Sequence, residues 1–109
     1  MADAATSCKQ VFEEMPNRLN KDAASGLNAV YQFDMTGEGG GKWYATIDNS
    51  QCVVSEGSHP SPNITITSSA HDYLDIVNGK LNPQMAFMTG KLRIAGDMGL
   101  ALKLQSLFS

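Results

Sequence analysis

The sequence predicts an α+β fold in which one sheet is covered on one face by helices. Between residues 27 and 67, apolar and polar residues alternate, which is typical of strands with one buried face. Before and after this region, apolar residues recur at helical spacing behind capping residues. The predicted order is one helix, four strands, two helices, a fifth strand and a final helix, and a sheet packed under helices accommodates that order.

A first helix is expected directly after Ser7, because Ser7 and Gln10 have the spacing of a capping box. The apolar residues behind them recur at helical spacing: Phe12, Met15 and Leu19. Pro16 interrupts this pattern. Either a kinked helix or a second short helix over residues 17–24 is therefore predicted before Gly26.

Four strands follow, and the first two form a hairpin. They cover residues 27–35 and 43–47, and the Gly-rich segment 36–41 is the expected turn between them. The third and fourth strands are predicted at residues 52–54 and 64–67. Strands that are joined by tight turns should pair antiparallel.

Two helices and a fifth strand are predicted next. Ser69 and Asp72 form a second capping box, and Gly79 ends the helix that it opens. Pro83 occupies the first position of a further short helix. The fifth strand is expected at residues 91–95, and the helical connection allows it to be parallel to the fourth.

The C-terminal helix has more apolar surface than one sheet can cover. Asp97 is its expected N-cap, and Lys103 and Ser106 mark a narrow polar stripe. One flank consists of Leu100, Leu104 and Leu107, and the other of Met98, Ala101, Leu102 and Phe108. A surface helix needs only one apolar face. Part of this helix should therefore be covered by a partner chain, a membrane or a bound lipid.

The composition indicates one domain over residues 1–109, with 42% apolar residues. No apolar run approaches the roughly 20 residues that span a bilayer. Asp3 stands where a secretory signal would carry a base, so an intracellular protein is expected. Cys8 and Cys52 should then be free, packed thiols.

The charge distribution disfavours nucleic acid as a partner, because the net charge is −3 and the pI is about 5.1. The C-terminal stretch is different, since it carries Lys91, Arg93 and Lys103 against Asp97 alone. Two interpretations remain open: these are solvated surface charges, or they face an anionic membrane or an acidic head group.

No catalytic, cofactor or metal site is predicted. The Gly-rich segment 36–41 does not match a phosphate-binding loop, because Thr36 and Trp43 occupy positions that require Gly and Ser or Thr. His59 and His71 lack the spacing of metal ligands. No nucleophile and base can be paired from these scattered residues.

An excess of apolar residues is the most informative remaining feature. Residues 85–88 are four apolar residues in succession on a short helix, so they must face several directions. Methionine suits a surface that repacks around variable ligands, although it also serves as core filler. Gln84 is the single amide beside them, and it either anchors a lipid head group or is simply exposed.

Residues 79–105 resemble the sterol carrier protein 2 family. The stretch Gly-Lys-Leu-Asn-Pro-x-x-Ala-Phe-x-x-Gly-Lys-Leu, followed by Gly-Asp-Met and Lys-Leu, is the most recognisable part of that family. The resemblance extends back through Gly41-Lys-Trp and residues 28–33 to Phe12, so that it covers nearly all of the chain.

The resemblance implies a five-stranded mixed, mainly antiparallel sheet, covered on one face by helices that enclose an apolar tunnel. It also implies non-enzymatic binding and transfer of fatty acids, fatty acyl-CoAs, sterols and phospholipids by a monomer that contacts membranes transiently, without a cofactor. The lining residues carried over by the resemblance are Phe12, Phe33, Gln84, Phe87, Met88, Met98, Leu102 and Leu104.

Three features depart from the family pattern. Pro16 lies inside the first helix, near the implied tunnel mouth. The chain ends in Leu-Phe-Ser, without the Ser-Lys-Leu-type peroxisomal signal of many eukaryotic relatives, so a cytoplasmic location is expected. The chain is acidic where several animal members are basic, which leaves electrostatic docking to membranes open.

Two alternative functions remain open at this stage. The chain could be an interaction module whose apolar C-terminal helix is buried by a partner or by a second copy of itself. It could also be an enzyme that acts on lipid esters, which would require a buried acid or base with a shifted pKa. The sequence offers no clear candidate for such a group.

Overall fold

A computed structural model describes residues 7–108, the side chain of Gln105 excepted. The expectations about the first residues and the final tripeptide rest partly on residues 1–6 and Ser109, which lie outside the described residues. The elements in chain order are α1 (Cys8–Arg18), β1 (Ala29–Thr36), β2 (Gly41–Asp48), β3 (Gln51–Glu56), β4 (Ile64–Ser69), α2 (Ala70–Val77), α3 (Pro83–Met88), β5 (Leu92–Gly96) and α4 (Met98–Leu107).

The strands form one mixed sheet in the order β3-β2-β1-β4-β5. β2 is antiparallel to both β1 and β3, as the tight turns predict. The parallel pairing that the helical connection allows between β4 and β5 is not adopted, because these strands are antiparallel and the parallel pair is β1 with β4. Two helices separate β4 from β5 and return the chain to the end of β4 that it left, so that Leu92 pairs with Ser68.

The parallel pairing of β1 with β4 depends on a loop that crosses the sheet face opposite to the helices. Gln32 anchors this loop: its Oε1 accepts a hydrogen bond from the His59 N–H at 2.8 Å, and its Nε2 donates to the Gly57 carbonyl at 3.0 Å. Nε2 also lies 3.2 Å from the Trp43 carbonyl oxygen. Gln32 is therefore buried although its position in the alternation faces away from the core.

The predicted N-caps are present. The Ser7 and Ser69 hydroxyls each accept a hydrogen bond at 3.1 Å, from the Gln10 and Asp72 N–H groups respectively. Oδ1 of Asp97 accepts from the Gly99 N–H at 2.8 Å. These bonds satisfy N–H groups that have no partner inside the helix.

Pro16 lies within α1 without ending it. The helix continues for two residues beyond Pro16, and residues 21–26 form turns instead of a second helix. A proline lacks the N–H that would bond to the carbonyl four residues earlier, so α1 gives up this hydrogen bond in its last turn. Gly26 then adopts a positive φ of 74°, which glycine reaches without strain.

An aromatic cluster joins α1 and α2 to the sheet. The Phe12 ring lies 4.6 Å from the Trp43 ring, 5.0 Å from Phe33 and 5.7 Å from Tyr73, measured between centroids. All four side chains are buried. Rings at these separations contribute packing energy beyond the area that they bury, so the cluster fixes both helices on the sheet.

Both cysteines are free and buried, as the sequence predicts. Burial raises the pKa of the Cys8 thiol and raises the pKa of Cys52 to about 11. The thiolate is the reactive form, so both residues behave as small apolar side chains near neutral pH.

Replacing Phe12 with alanine should lower the free energy of unfolding by about 3–5 kcal/mol, because it leaves a cavity beneath three rings. Urea denaturation measures this change. Met88→Ala is the matched control: Met88 is 79% exposed, and its truncation should change stability by less than about 0.5 kcal/mol. Equal effects of the two substitutions would contradict the central role of Phe12.

Candidate functional site

A cavity of about 530 Å³ lies between the helices and the β4–β5 side of the sheet. Its inner wall consists of buried side chains from α1, α2, β4 and β5, namely Val11, Met15, Tyr73, Ile66 and Leu92. α3 and α4 supply the opposite wall. This volume falls in the range of pockets that hold one small molecule.

The cavity opens to solvent along α3 and α4. We call the exposed side chains that line it the rim: Arg18, Gln84, Phe87, Met88, Met98 and Leu102. Met88 and Leu102 are 79% and 76% exposed, although both are large apolar residues. An apolar wall thus continues from the interior to the protein surface.

The lining is almost entirely apolar. Among the described lining residues, the polar side chains are those of Arg18, Gln84 and Tyr73, and none is a carboxylate. Burial, with a smaller contribution from the nearby Cys8, raises the pKa of Tyr73, so its hydroxyl stays protonated near neutral pH. The cavity therefore offers one cation, one amide and one phenol to a ligand that is otherwise apolar.

Six of the eight residues named from the sequence line this cavity: Gln84, Phe87, Met88, Met98, Leu102 and Leu104. Phe12 and Phe33 do not line it. Both are buried in the aromatic cluster, where Phe12 stacks behind Tyr73 at 5.7 Å. They support the wall without reaching its surface.

Sequence reasoning assigned Phe12 of α1 to the lining and missed the three residues of this helix that line the cavity. Val11, Met15 and Arg18 line the cavity at positions i, i+4 and i+7 of that helix. Helical spacing places these three residues on one face. This spacing was the signal in the sequence that could have identified them. The apolar pattern that includes Phe12 instead marks the face of α1 that packs into the core.

Helix α4 is fastened to the fold at both ends and spans the cavity between them. The Tyr31 hydroxyl donates a hydrogen bond to the Leu100 carbonyl at 2.8 Å, near the start of the helix. At its end, the Asn20 N–H donates to the Leu107 carbonyl at 2.7 Å, and the Leu107 side chain is fully buried. The middle of α4 therefore stays over the cavity while its ends are held.

Metal chemistry finds no support in residues 7–108, where no group of three or more His, Cys, Asp or Glu side chains is arranged to hold an ion. His71 lies 3.4 Å from Asp75, but its side chain is largely exposed and outside the cavity. Among the helices described here, none is long and apolar enough to cross a membrane.

The model of the SCP-2 sterol transfer family matches residues 8–109, which is most of the sequence. The chain belongs to this family. It is 34% identical over 104 residues to the hydroxysteroid dehydrogenase-like protein 2 of Xenopus laevis, and the match covers 94% of this chain and 25% of that protein. The chain thus spans about a quarter of the length of the curated relatives that it matches.

Solved structures of SCP-2 proteins share the fold. The apo sterol carrier protein 2 of Yarrowia lipolytica matches with a TM-score of 0.74 at 27% identity, covering 97% of this chain and 91% of that one. The palmitated SCP2L2 of Aedes aegypti matches with a TM-score of 0.72 at 27% identity, covering 91% of each chain. The five-stranded mixed sheet with four helices is therefore the SCP-2 fold.

In this SCP-2 chain, Tyr31→Phe should cost about 1 kcal/mol of stability at neutral pH, because it removes the hydrogen bond to α4. Burial and, to a lesser extent, Asp97 raise the pKa of Tyr31 from 10.0 to about 12. The unfolded chain thus releases this proton at lower pH than the folded chain, so the contribution to stability is lost as pH rises from about 10 to about 12.

As pH rises from about 10 to about 12, the Tyr31→Phe variant should therefore lose less stability than the parent protein. Urea denaturation at a series of pH values measures this difference. Tyr44→Phe, at a half-buried position on the opposite sheet face, is the control. Identical pH dependence in Tyr31→Phe and the parent would show that the pKa of Tyr31 is not raised, and equal stability at neutral pH would show that its hydroxyl does not hold α4.

Proposed function

We propose that this chain binds a lipid with one long acyl chain in the cavity and carries it between membranes. The observation that supports this proposal is the composition of the lining, which is apolar apart from Arg18, Gln84 and Tyr73. A concave apolar site with a few polar groups is the arrangement expected for an amphiphilic ligand. Membership of the SCP-2 sterol transfer family supports the same class of ligand.

The size of the cavity favours a single chain. A methylene occupies about as much volume as a water molecule in the liquid, about 30 Å³. A cavity of about 530 Å³ then accommodates about 18 such groups. A sterol, or a phospholipid with two long chains, contains more carbon atoms than this. Fatty acids and fatty acyl-CoAs are therefore the preferred ligands, ahead of sterols and phospholipids.

The charge of the rim favours an anionic head group. Arg18 is the charged residue of the lining, and it lies in the last turn of α1 on the solvent side. Its guanidinium can bind a carboxylate or a phosphate through two parallel hydrogen bonds. Gln84, also on the rim, supplies an amide. The ligand would therefore keep its head group at the rim and its chain inside.

We propose that no bond of the lipid is made or broken. Tyr73 is the titratable side chain of the described inner wall, and its raised pKa keeps the hydroxyl protonated near neutral pH, so it can donate a hydrogen bond and does not serve as a base. The name of the relatives refers to a dehydrogenase, but this chain matches about a quarter of their length. We therefore assign to it a carrier role alone, exercised as a monomer in transient contact with membranes.

Affinity should rise with the length of the acyl chain. Each buried methylene contributes about 0.8 kcal/mol, so Kd should fall about fourfold per added methylene. The gain should stop at about 18 carbons, when the cavity is filled. Displacement of a fluorescent fatty acid by monomeric unlabelled fatty acids and acyl-CoAs of increasing length measures this series. Absence of saturable binding by a folded, delipidated sample would refute the proposal.

Leu104→Arg should abolish binding, because Leu104 lines the cavity and a buried guanidinium would oppose an acyl chain. Val53→Arg is the matched control, on the exposed surface of the edge strand β3. Ala101→Phe adds volume to the lining and should shift the preferred ligand to shorter chains. A general loss of structure would not produce that shift, and circular dichroism verifies folding. Unchanged affinity in both cavity variants would place the ligand elsewhere.

A further inference from the structure

Exposed apolar side chains are concentrated on two helices. Of the six large apolar residues that are exposed in residues 7–108, five lie on α3 and α4: Met85, Phe87, Met88, Met98 and Leu102. We call these five the docking face. The sixth, Val53, lies on the edge strand β3 at the far side of the sheet. Contiguous exposed apolar surface usually marks an interaction site.

Cations and acids are distributed unevenly between the segment that bears the docking face and the rest of the sequence. Residues 79–108 carry the cations Lys80, Lys91, Arg93 and Lys103 with Asp97 as their acid, whereas residues 7–78 carry four cations and nine acids. These four cations are exposed, and none forms an ion pair with a described carboxylate. The segment that bears the docking face is therefore positive although the whole chain has a net charge of −3.

Two of these cations stand directly beside the docking face. Lys91 follows the end of α3, and its N–H donates a hydrogen bond to the carbonyl of Ala86 in that helix at 2.8 Å. Lys103 is the neighbour of Leu102 on α4, on the exposed side of the helix. Long cationic side chains in such positions can reach lipid phosphates while the apolar residues beside them enter the acyl region.

We propose that the docking face binds an anionic phospholipid bilayer, with Lys91 and Lys103 meeting the head groups and the apolar side chains entering the interface. This inference rests on the proposed function, because it supplies the route by which a lipid reaches the cavity. Four of the five apolar residues also belong to the rim. A lipid chain can therefore pass from the bilayer to the cavity along continuous apolar surface without crossing water.

The charge distribution favours a bilayer over a second copy of the chain. Two copies that meet through this face would bring Lys91 and Lys103 of each against the cations of the other, and like charges across an interface oppose association. An anionic bilayer instead attracts each cation near its surface by about 1 kcal/mol. Nine acids of residues 7–78 lie outside the segment that bears the docking face.

Sedimentation with vesicles of phosphatidylcholine mixed with phosphatidylglycerol tests the proposal, with pure phosphatidylcholine vesicles for comparison. The protein should prefer the anionic vesicles. The double variant Lys91→Glu with Lys103→Glu should bind them at least about thirtyfold more weakly, the equivalent of about 1 kcal/mol for each cation. Lys9→Glu with Lys42→Glu is the matched control, since it changes the net charge equally at exposed positions on α1 and β2.

A fluorescent probe identifies the surface that enters the bilayer. Met85→Cys places a thiol on the docking face outside the cavity lining, and Val53→Cys places one at the far side of the sheet. Cys8 and Cys52 are buried, so a maleimide dye should label the new thiol in the folded protein. Quenching by lipids that carry a quencher in the acyl chain should occur at position 85 and be absent at position 53.

Three outcomes would overturn the docking proposal: no preference for anionic vesicles, equal loss in both charge variants, or quenching at both labelled positions. Self-association of the protein that the Lys91 and Lys103 substitutions alter would assign the face to a second copy instead. Fatty-acid binding in the absence of vesicles is measured separately, and neither lysine lines the cavity. Its failure would refute the proposed function, whereas its survival without vesicle binding would refute docking alone.

Discussion

The attachment of α4 at its two ends is the constraint on which the cavity depends. At the start of the helix, Gly96 passes so close to β4 that a Cβ atom there would lie 2.5 Å from the Asn63 carbonyl oxygen. Its φ of 112° also favours glycine. At the other end, Leu107 is fully buried. The chain can therefore leave the sheet abruptly at Gly96 and is held again at Leu107, beside Asn20, so the intervening turns bridge the cavity without filling it.

Apolar side chains that line an open cavity remain uncovered, and covering them provides a driving force for binding. They also lack the dispersion contacts that a packed interior provides. An acyl chain restores those contacts for residues such as Ile66 and Leu92, and it removes its own methylenes from water. A ligand that binds only the folded state also stabilises it by mass action. Ligand binding and folding stability should thus be coupled through α4, because the side chains of this helix that line the cavity are not fully buried without a ligand.

Local features of the sequence predicted the elements, and long-range contacts decided how they pair. Capping side chains such as Asp97 fixed the helix starts, and part of the excess apolar surface of α4 lines the cavity. The pairing of β1 with β4 could not be predicted from local features. It depends on the buried amide of Gln32, which holds a loop from a distant part of the chain. Alternation marked Gln32 as outward-facing but carried no information about that loop. Phe12 and Val11 are adjacent on α1, and only the packed structure distinguishes the core face from the cavity face.

The rim imposes opposing requirements on the same residues. Met88 and Leu102 must be apolar for a lipid chain to pass, yet both are largely exposed to water. Exposed apolar surface promotes aggregation, and a net charge away from zero opposes it through repulsion between molecules. The acids of residues 7–78 supply that charge outside the segment that bears the docking face, while the cations of residues 79–108 keep that segment attractive to anionic lipid. An acidic body is therefore compatible with membrane docking when its acids lie away from the docking face, and the sign of the net charge alone does not predict the partner.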